Sequence, residues 1–151
     1  MTLLFSSKVQ KQFREAVEEL FFLNPRQSRV HEGIVRALEK FGEPRLEEKD
    51  DSVFLRVGDQ GAQTLFAFDS SRKDSGPVGV VVFLRTSWTE IIVVHIAVHP
   101  TYALRGSTEG PGLGLELIEK VEEIASRLAG VEKVVLWYQN GITLRLPKPV
   151  R

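Results

Sequence analysis

Cysteine is missing from the 151 residues of this chain. Without a thiol, the chain forms no disulfide, offers no cysteine nucleophile and holds no cysteine-ligated zinc. Histidine is scarce too, with three residues at positions 31, 95 and 99. His95 and His99 fall on one strand-like run, about 13 Å apart at the rise of a strand, which is too far for one ion. The sequence therefore predicts no metal site.

An excess of either charge is also missing, because 20 basic residues balance 20 acidic ones. Such a chain has no overall field that would attract nucleic acid or an anionic membrane. No run approaches the roughly 20 apolar residues that span a bilayer. The start, MTLLFSSKVQ, does not resemble a secretory leader. We therefore expect a cytoplasmic protein with no nucleic-acid or membrane partner.

The residues that are present, 42% hydrophobic and 26% charged, are ordinary for a globular protein. The length fits a single domain over 1–151. The patterning predicts two helices, four strands, a long helix and two strands, in that order. The first helix is expected to be capped by Ser6 or Ser7 and to include Val9. The second is expected to end at Gly42.

Six strand-like runs follow the first two helices. SVFLRV and AQTLFAF flank GDQG, which predicts a hairpin. VGVVVFLR and TEIIVVHIAV are rich in β-branched residues, which indicates central strands covered on both faces. EKVVLWY is followed by Asn140-Gly141, a tight-turn signal that leads into ITLRL.

One long helix is expected between the last two pairs of strands, with an apolar stripe at helical spacing. The stripe is Leu113, Leu117, Ile118, Val121, Ile124, Ala125 and Leu128. A strand, a crossover helix and a further strand imply a right-handed parallel pair inside a mixed sheet.

A glycine-dense segment precedes this helix, with glycines at positions 106, 110, 112 and 114. A helix that begins after glycines presents unpaired amide groups and the positive end of its dipole, so it suits a phosphate. The same glycines also suit a plain flexible connection. On spacing alone, both interpretations stay open.

Three phrases together resemble the core of the GNAT superfamily of acyl-CoA-dependent N-acyltransferases. The first is Ile96-Ala97-Val98-His99-Pro100 at the end of a strand, and the second is Gly112-Leu113-Gly114 at the start of the long helix. The third is Gly130-Val131-Glu132-Lys133-Val134 before the next strand. The resemblance implies an α+β fold in three layers, with a mixed central β-sheet and helices on both faces.

The resemblance also implies acetyl-CoA as the acyl donor and a position for it. The strand before the loop would diverge from the strand after the helix and bind the pantetheine arm through Ile96, Ala97 and Val98. The pyrophosphate would lie on the amides at the helix start. These are Gly110, Gly112, Leu113, Gly114 and Leu115.

Several features depart from the family pattern. Its Gln or Arg falls at Glu109, where a carboxylate would repel a pyrophosphate. Arg105 either supplies the missing positive charge or is an ordinary loop residue. The family's last helix, which often carries a catalytic tyrosine, does not follow the final strands. The family's first strand precedes its helices, so TLLF at the N-terminus is a candidate for it, which makes SVFLRV an addition.

Amine acylation needs a group that takes a proton from the attacking ammonium. A period of two places Glu90, Ile92, Val94, Ile96 and Val98 on one face of their strand, and His95 on the other. Glu90 is the candidate base, or else a surface carboxylate at a strand end. Tyr138 is the candidate acid, or else a packing residue, and His95 is best explained as a core histidine.

Two functions remain open from the sequence. The first is an N-acetyltransferase that acts on a primary amine of a small molecule or peptide. The second is a catalytically inactive binding or interaction module of the same fold, as a homodimer. Ile92, which stands where the family often has a glutamate, favours the second.

Overall fold

The computed structural model describes residues 3–22, 44–57, 63–71, 76–99, 112–137 and 142–146. In these ranges the chain forms nine strands, a short 3₁₀ helix at Lys11–Phe13 and two α-helices. The helices are α1, Arg14–Phe22, and α2, Leu113–Ser126. The strands are β1 Leu3–Ser6, β2 Val9–Gln10, β3 Pro44–Lys49, β4 Ser52–Val57, β5 Gln63–Asp69, β6 Gly79–Ser87, β7 Glu90–Val98, β8 Lys133–Leu136 and β9 Ile142–Arg145.

Six strands form the main sheet, in the order β1-β5-β6-β7-β8-β9. All neighbours are antiparallel except β7 and β8, which are parallel and are connected through α2. The predicted strand–helix–strand crossover in a mixed sheet is therefore confirmed. The TLLF run contributes to β1, the first strand, as the sequence predicted.

A second, three-stranded sheet has the order β2-β4-β3. One expectation about this region is wrong. The SVFLRV strand, β4, does not form a hairpin with β5, because β1 and β6 occupy the two sides of β5. The charged run PRLEEK, for which the patterning predicted no strand, is strand β3 and is joined to β4 by a turn in which Asp50 and Asp51 have positive φ values of 50° and 63°.

The first helix begins later than its capping pattern predicted. Val9 is not helical but pairs with Val53 in the second sheet, where it is 1% exposed. Val9 is β-branched and is buried in an extended segment, so it does not join the helix, and the α-helix starts only at Arg14. Arg14 donates to Glu48 at 2.7 Å and thereby connects α1 to β3. The second predicted helix lies outside the described residues.

The long helix, α2, agrees with its predicted stripe. Five members of the stripe are buried, namely Leu113, Leu117, Ile118, Val121 and Ala125. The helix ends at Ser126, so Leu128 lies beyond it and is 38% exposed. In the described ranges, no helix is both long and apolar enough to cross a membrane.

The two faces of the main sheet carry separate cores. One contains α2 together with Val81, Val93 and their neighbours. The other contains Val17 and Leu20 of α1 together with Val82 and its neighbours. The expected α+β fold, a mixed central sheet between helices on both faces, is therefore confirmed.

Candidate functional site

The parallel ladder between β7 and β8 ends halfway along β7. Its last pair is Val93 with Leu136. Strand β7 continues for five more residues, from Val94 to Val98, and keeps its antiparallel pairing with β6 on the other side. Within the described part of the chain, no strand pairs with β7 on the β8 side beyond Val93. The ladder stops where β8 itself ends, at Leu136, whereas β7 continues towards the start of the helix that connects the two strands.

A β-bulge in β7 lies directly after Val93, the last residue that pairs with β8. His95 pairs with Val82 and Val93 pairs with Phe83, so Val94 is an extra residue between two consecutive pairs. A bulge bends its strand and changes which face the following side chains occupy. The bulge was missed from the sequence, because the run VVHIA is uniformly apolar around His95 and contains no glycine or proline to signal it.

The bulge makes the predicted face assignment wrong. Paired residues of antiparallel strands lie on the same face. Ile96 pairs with Val81, on the α2 side, whereas His95 pairs with Val82, on the α1 side. Val98 belongs to the α2 core and Val94 to the α1 core. Ile96 and Val98 therefore lie opposite Ile92 and Val94, and not beside them as the alternation predicted.

Helix α2 begins against the C-terminal end of β7. Its N-cap is Gly112, which makes no side-chain capping bond. A Cβ built on Gly114 would lie 3.9 Å from Val98 Cγ2 and 4.0 Å from Ile96 Cδ1. Leu113 is buried, whereas Leu115 is 51% exposed. The structure thus brings Ile96, Val98 and Gly114 together, as one predicted site requires.

Gly79 on β6 allows the helix start to come this close to the sheet. A Cβ at this position would lie 3.0 Å from Leu113 Cδ2 and 3.1 Å from Leu117 Cδ1. Both leucines are fully buried. Because Gly79 has no side chain, the first turn of α2 can pack closely against β6 and β7.

The amides at the start of α2 are only partly bonded within the helix. The first four N–H groups of any α-helix lack an intrahelical acceptor of the usual kind. Here the Glu116 amide makes the first regular helical bond, to the carbonyl oxygen of Gly112 at 3.3 Å, and the Leu115 amide donates to the same oxygen at 3.1 Å. The dipole adds partial positive charge at this end. Gly112, Leu113 and Gly114 thus form an electropositive helix start beside the end of β7.

The other predicted ligand-binding residues have different positions. Ala97 pairs with Val80 and its side chain belongs to the α1 core, so only its backbone can take part on the α2 side. Arg105, Gly110 and the remainder of the loop lie outside the described residues, as does Tyr138. Trp137, its neighbour, is half-buried against the α1 core.

Glu90 lies at the opposite end of β7 from this group. Six residues separate it from Ile96, about 20 Å at the rise of a strand. Its carboxylate accepts a hydrogen bond from the Thr86 hydroxyl at 3.0 Å, and Lys133 Nζ lies 3.8 Å away. The structure does not bring Glu90 together with Ile96, Val98 and Gly114.

His95 is buried at the bulge, under α1. It is 4% exposed, which agrees with its interpretation as a core histidine. Loss of water around the imidazole lowers its pKa to about 4, so the ring is neutral at pH 7. Along β7, His95 is nearer than Glu90 to Ile96 and Val98, the residues that contact the start of α2. Among the described residues, no group of three or more acidic or histidine side chains is arranged to hold a metal ion.

No protein-family model and no curated protein matches the chain. Solved structures similar to it include an IAA acetyltransferase from Bacillus cereus, with 17% identity and a TM-score of 0.45. A GNAT-family protein from Desulfovibrio desulfuricans has 20% identity and a TM-score of 0.47, and ElaA from Escherichia coli has 13% and 0.44.

Each of these similarities covers 89% of this chain, and it covers 65%, 72% and 77% of the three proteins in turn. The chain thus spans less than two thirds of the length of the Bacillus cereus enzyme. Its topology is an α+β mixed sheet between helices, and one of the solved structures to which it is similar is described as a GNAT-family acetyltransferase.

Proposed function

We propose that this protein transfers an acetyl group from acetyl-CoA to the primary amine of a small molecule or peptide, in the cytoplasm. One observation carries the proposal. The parallel ladder ends after Val93, and β7 continues from there to the start of a helix that has glycines at Gly112 and Gly114. Acetyl-CoA, which has amides along its pantetheine arm and a pyrophosphate beyond it, matches this arrangement, because strand edges bind amides and helix starts bind anions.

The proposed binding mode assigns a task to each part of the site. Backbone groups of Ile96, Ala97 and Val98 bond the pantetheine amides along the edge of β7 beyond its last pair with β8. Amides of Gly112, Leu113 and Gly114 hold the pyrophosphate, with Gly110 and Arg105 as further contacts from the loop, while the amide of the predicted contact Leu115 donates to the Gly112 carbonyl oxygen. The half-exposed Leu115 provides apolar surface at the mouth of the site. The side-chain-free surface at Gly114 keeps the route between helix and strand open.

The reaction itself is an acyl transfer. The neutral amine attacks the thioester carbonyl carbon, a carbon–nitrogen bond forms, and the carbon–sulfur bond breaks. The amine loses a proton, and the departing sulfur gains one. Glu90 is the proposed proton acceptor, and since it lies about 20 Å along the strand from Ile96 it acts through intervening water molecules and not by direct contact. Tyr138 is the proposed donor. Backbone amides beside the Val94 bulge polarise the carbonyl in this proposal.

Thermal unfolding tests the binding mode. A ligand that binds only the native state raises the melting temperature, so acetyl-CoA at about 100 times its Kd should stabilise the protein by roughly 2.7 kcal/mol. Gly114→Val places branched carbons against Ile96 and Val98 and should abolish most of this shift. Ser126→Val, at the other end of the same helix, is the matched control and should retain it. No shift with the unmodified protein at millimolar acetyl-CoA contradicts the proposal.

A second candidate function is a catalytically inactive binding or interaction module. The position of Glu90 favours it, because its carboxylate contacts Thr86 and Lys133 about 20 Å along the strand from Ile96. Acetyl-CoA binding without thiol release over a broad amine panel would support this function. Unchanged turnover in Glu90→Gln would remove Glu90 from the mechanism. Light scattering after size exclusion decides whether the module is a homodimer.

A further inference from the structure

A cavity of about 320 Å³ lies where the chain passes from one sheet to the other. Strand β1 leaves the main sheet at Ser6 and β2 joins the second sheet at Val9. The ladder of β1 with β5 ends at Phe66, so the start of β5 extends past it. The gap between this start and the turn of the β3–β4 hairpin is the cavity. Hydroxyl and charged groups line it, namely Ser7, Lys8, Lys49, Asp50, Ser52 and Thr64.

Thr64 is the buried polar group of this cavity. Its residue is only 7% exposed, and its hydroxyl oxygen is buried with no hydrogen-bond partner among the described residues. Buried hydroxyl groups in native proteins almost always have a partner, because desolvation without a hydrogen bond costs free energy. Thr64 lines the cavity, so a change of its side-chain rotamer would bring the buried hydroxyl group to a molecule bound there.

Two lysines supply positive charge at the same place. Lys8 and Lys49 are both exposed and both line the cavity. In the parts of the chain that the structure describes, neither forms an ion pair, whereas Lys11, Lys120 and Lys133 each lie within 4 Å of a glutamate. Asp50 contributes one negative charge to the lining, so the cavity has a net charge of one positive unit. An anionic group is the ligand that this charge favours.

We propose that this cavity binds a small metabolite through an anionic oxygen group, a phosphate or a carboxylate. Thr64 donates its hydroxyl hydrogen to that group, Ser7 and Ser52 add further hydroxyls, and the two lysines neutralise the charge. The volume corresponds to roughly ten water molecules, more than a bare ion fills. Asp50 accepts a hydrogen bond from a hydroxyl or amino group elsewhere on the same molecule.

The site is separate from the proposed coenzyme site. Thr64 pairs with Val82, and Val82 pairs with His95, so these three residues lie in one row on the α1 face of the sheet. Gly114 and the start of α2 lie on the other face. Binding in the cavity therefore does not require that acetyl-CoA binds.

Titration of the full chain with inorganic phosphate and, separately, with succinate tests the proposal. Chemical shifts of backbone amides report the location and the Kd. Either anion should shift the amides of Lys8, Ser52 and Thr64. Phosphate alone would identify a phosphate ligand, succinate alone a carboxylate ligand, and both would establish the shared anion chemistry. No shift at these residues up to about 50 mM of either anion, a concentration well above ordinary metabolite affinities, overturns the proposal.

Variants separate the cavity from general charge attraction. Thr64→Val removes the hydroxyl at constant shape and should weaken binding about tenfold, while Thr64→Ser should restore it. Lys49→Gln should also weaken binding, whereas Lys120→Gln, on α2, is the control and should not. Equal loss in both lysine variants, or no loss in Thr64→Val, overturns the proposal. Acetyl-CoA should stabilise Thr64→Val as it does the unmodified chain, so failure at one site is distinguishable from failure at the other.

Discussion

At the scale of the residue, single side chains decide what each end of β7 can do. Gly114 leaves room between helix and strand, Val94 is the extra residue that turns the end of the strand, and His95 lies buried beside it. Glu90 occupies the opposite end and contacts Lys133. The chemistry of the site therefore depends on residues that follow the bulge more than on the carboxylate that precedes it.

His95 should make stability depend on pH. Burial lowers its native pKa to about 4 from the ordinary histidine value of 6.5, so the unfolded chain binds more protons than the native chain between these values. Stability then falls as the pH decreases from about 6.5 to about 4, by up to roughly 3 kcal/mol from this group. His95→Gln should flatten this part of the profile.

Urea unfolding at a series of pH values measures this contribution. The informative quantity is the slope of the unfolding free energy with pH, which is independent of any constant loss caused by the substitution itself. His99→Gln removes an exposed imidazole and serves as the control for loss of a histidine. An unchanged slope in His95→Gln would mean that His95 has the same pKa in the native and unfolded chains, which contradicts this prediction.

At the scale of the element, the agreement between pattern and structure follows the strength of the local signal. The stripe of α2 keeps one period over many residues, and β6 and β7 are long runs rich in β-branched residues; all three elements were predicted correctly. Strand β3 was missed, because its charged residues lack the alternation that marks a strand. The start of α1 was predicted too early, because Ser6 and Ser7 offer caps that tertiary pairing of Val9 overrides.

Gly79 should control the packing of α2 on β6. Gly79→Val forces carbon atoms against Leu113 and Leu117, two fully buried side chains with little room to move, and should destabilise the protein by about 2 kcal/mol. Gly79→Ala adds less volume and should cost less. Chemical denaturation measures both, with Ser87→Val at the exposed end of β6 as the control, expected within about 0.5 kcal/mol of the unmodified chain. If Gly79→Val is as stable as the unmodified protein, Gly79 is not required for the packing of α2 on β6.

At the scale of the whole molecule, two sheets of unequal burial share one chain. The main sheet is covered on both faces by helices and its central strands are almost fully buried. The second sheet has three strands, with Glu48 and Lys49 exposed, and is joined to α1 by the Arg14–Glu48 contact. The hydrogen bond from Arg14 lowers the pKa of the Glu48 carboxyl group. The second sheet is therefore the less protected unit.

Hydrogen exchange should distinguish the two sheets. We expect amides at 80–84 and 91–95 to exchange on the order of a hundredfold more slowly than those at 46–49, because opening the main sheet exposes far more apolar surface. Mass spectrometry of peptic fragments measures the ratio. Equal protection in both sheets would mean that the molecule opens as one unit.

The sequence by itself determined the elements whose signal is local: the buried central strands, the apolar stripe of α2, the crossover into a mixed sheet and the glycine-started helix. Those features follow from periodicity and backbone chemistry within a few neighbouring residues. Only the tertiary structure decided the pairing partner of β4, the later start of α1 and the face on which His95 lies. Each of these depends on a contact between residues distant in the chain, or on one unpaired residue in a uniform apolar run, and neither leaves a periodic trace.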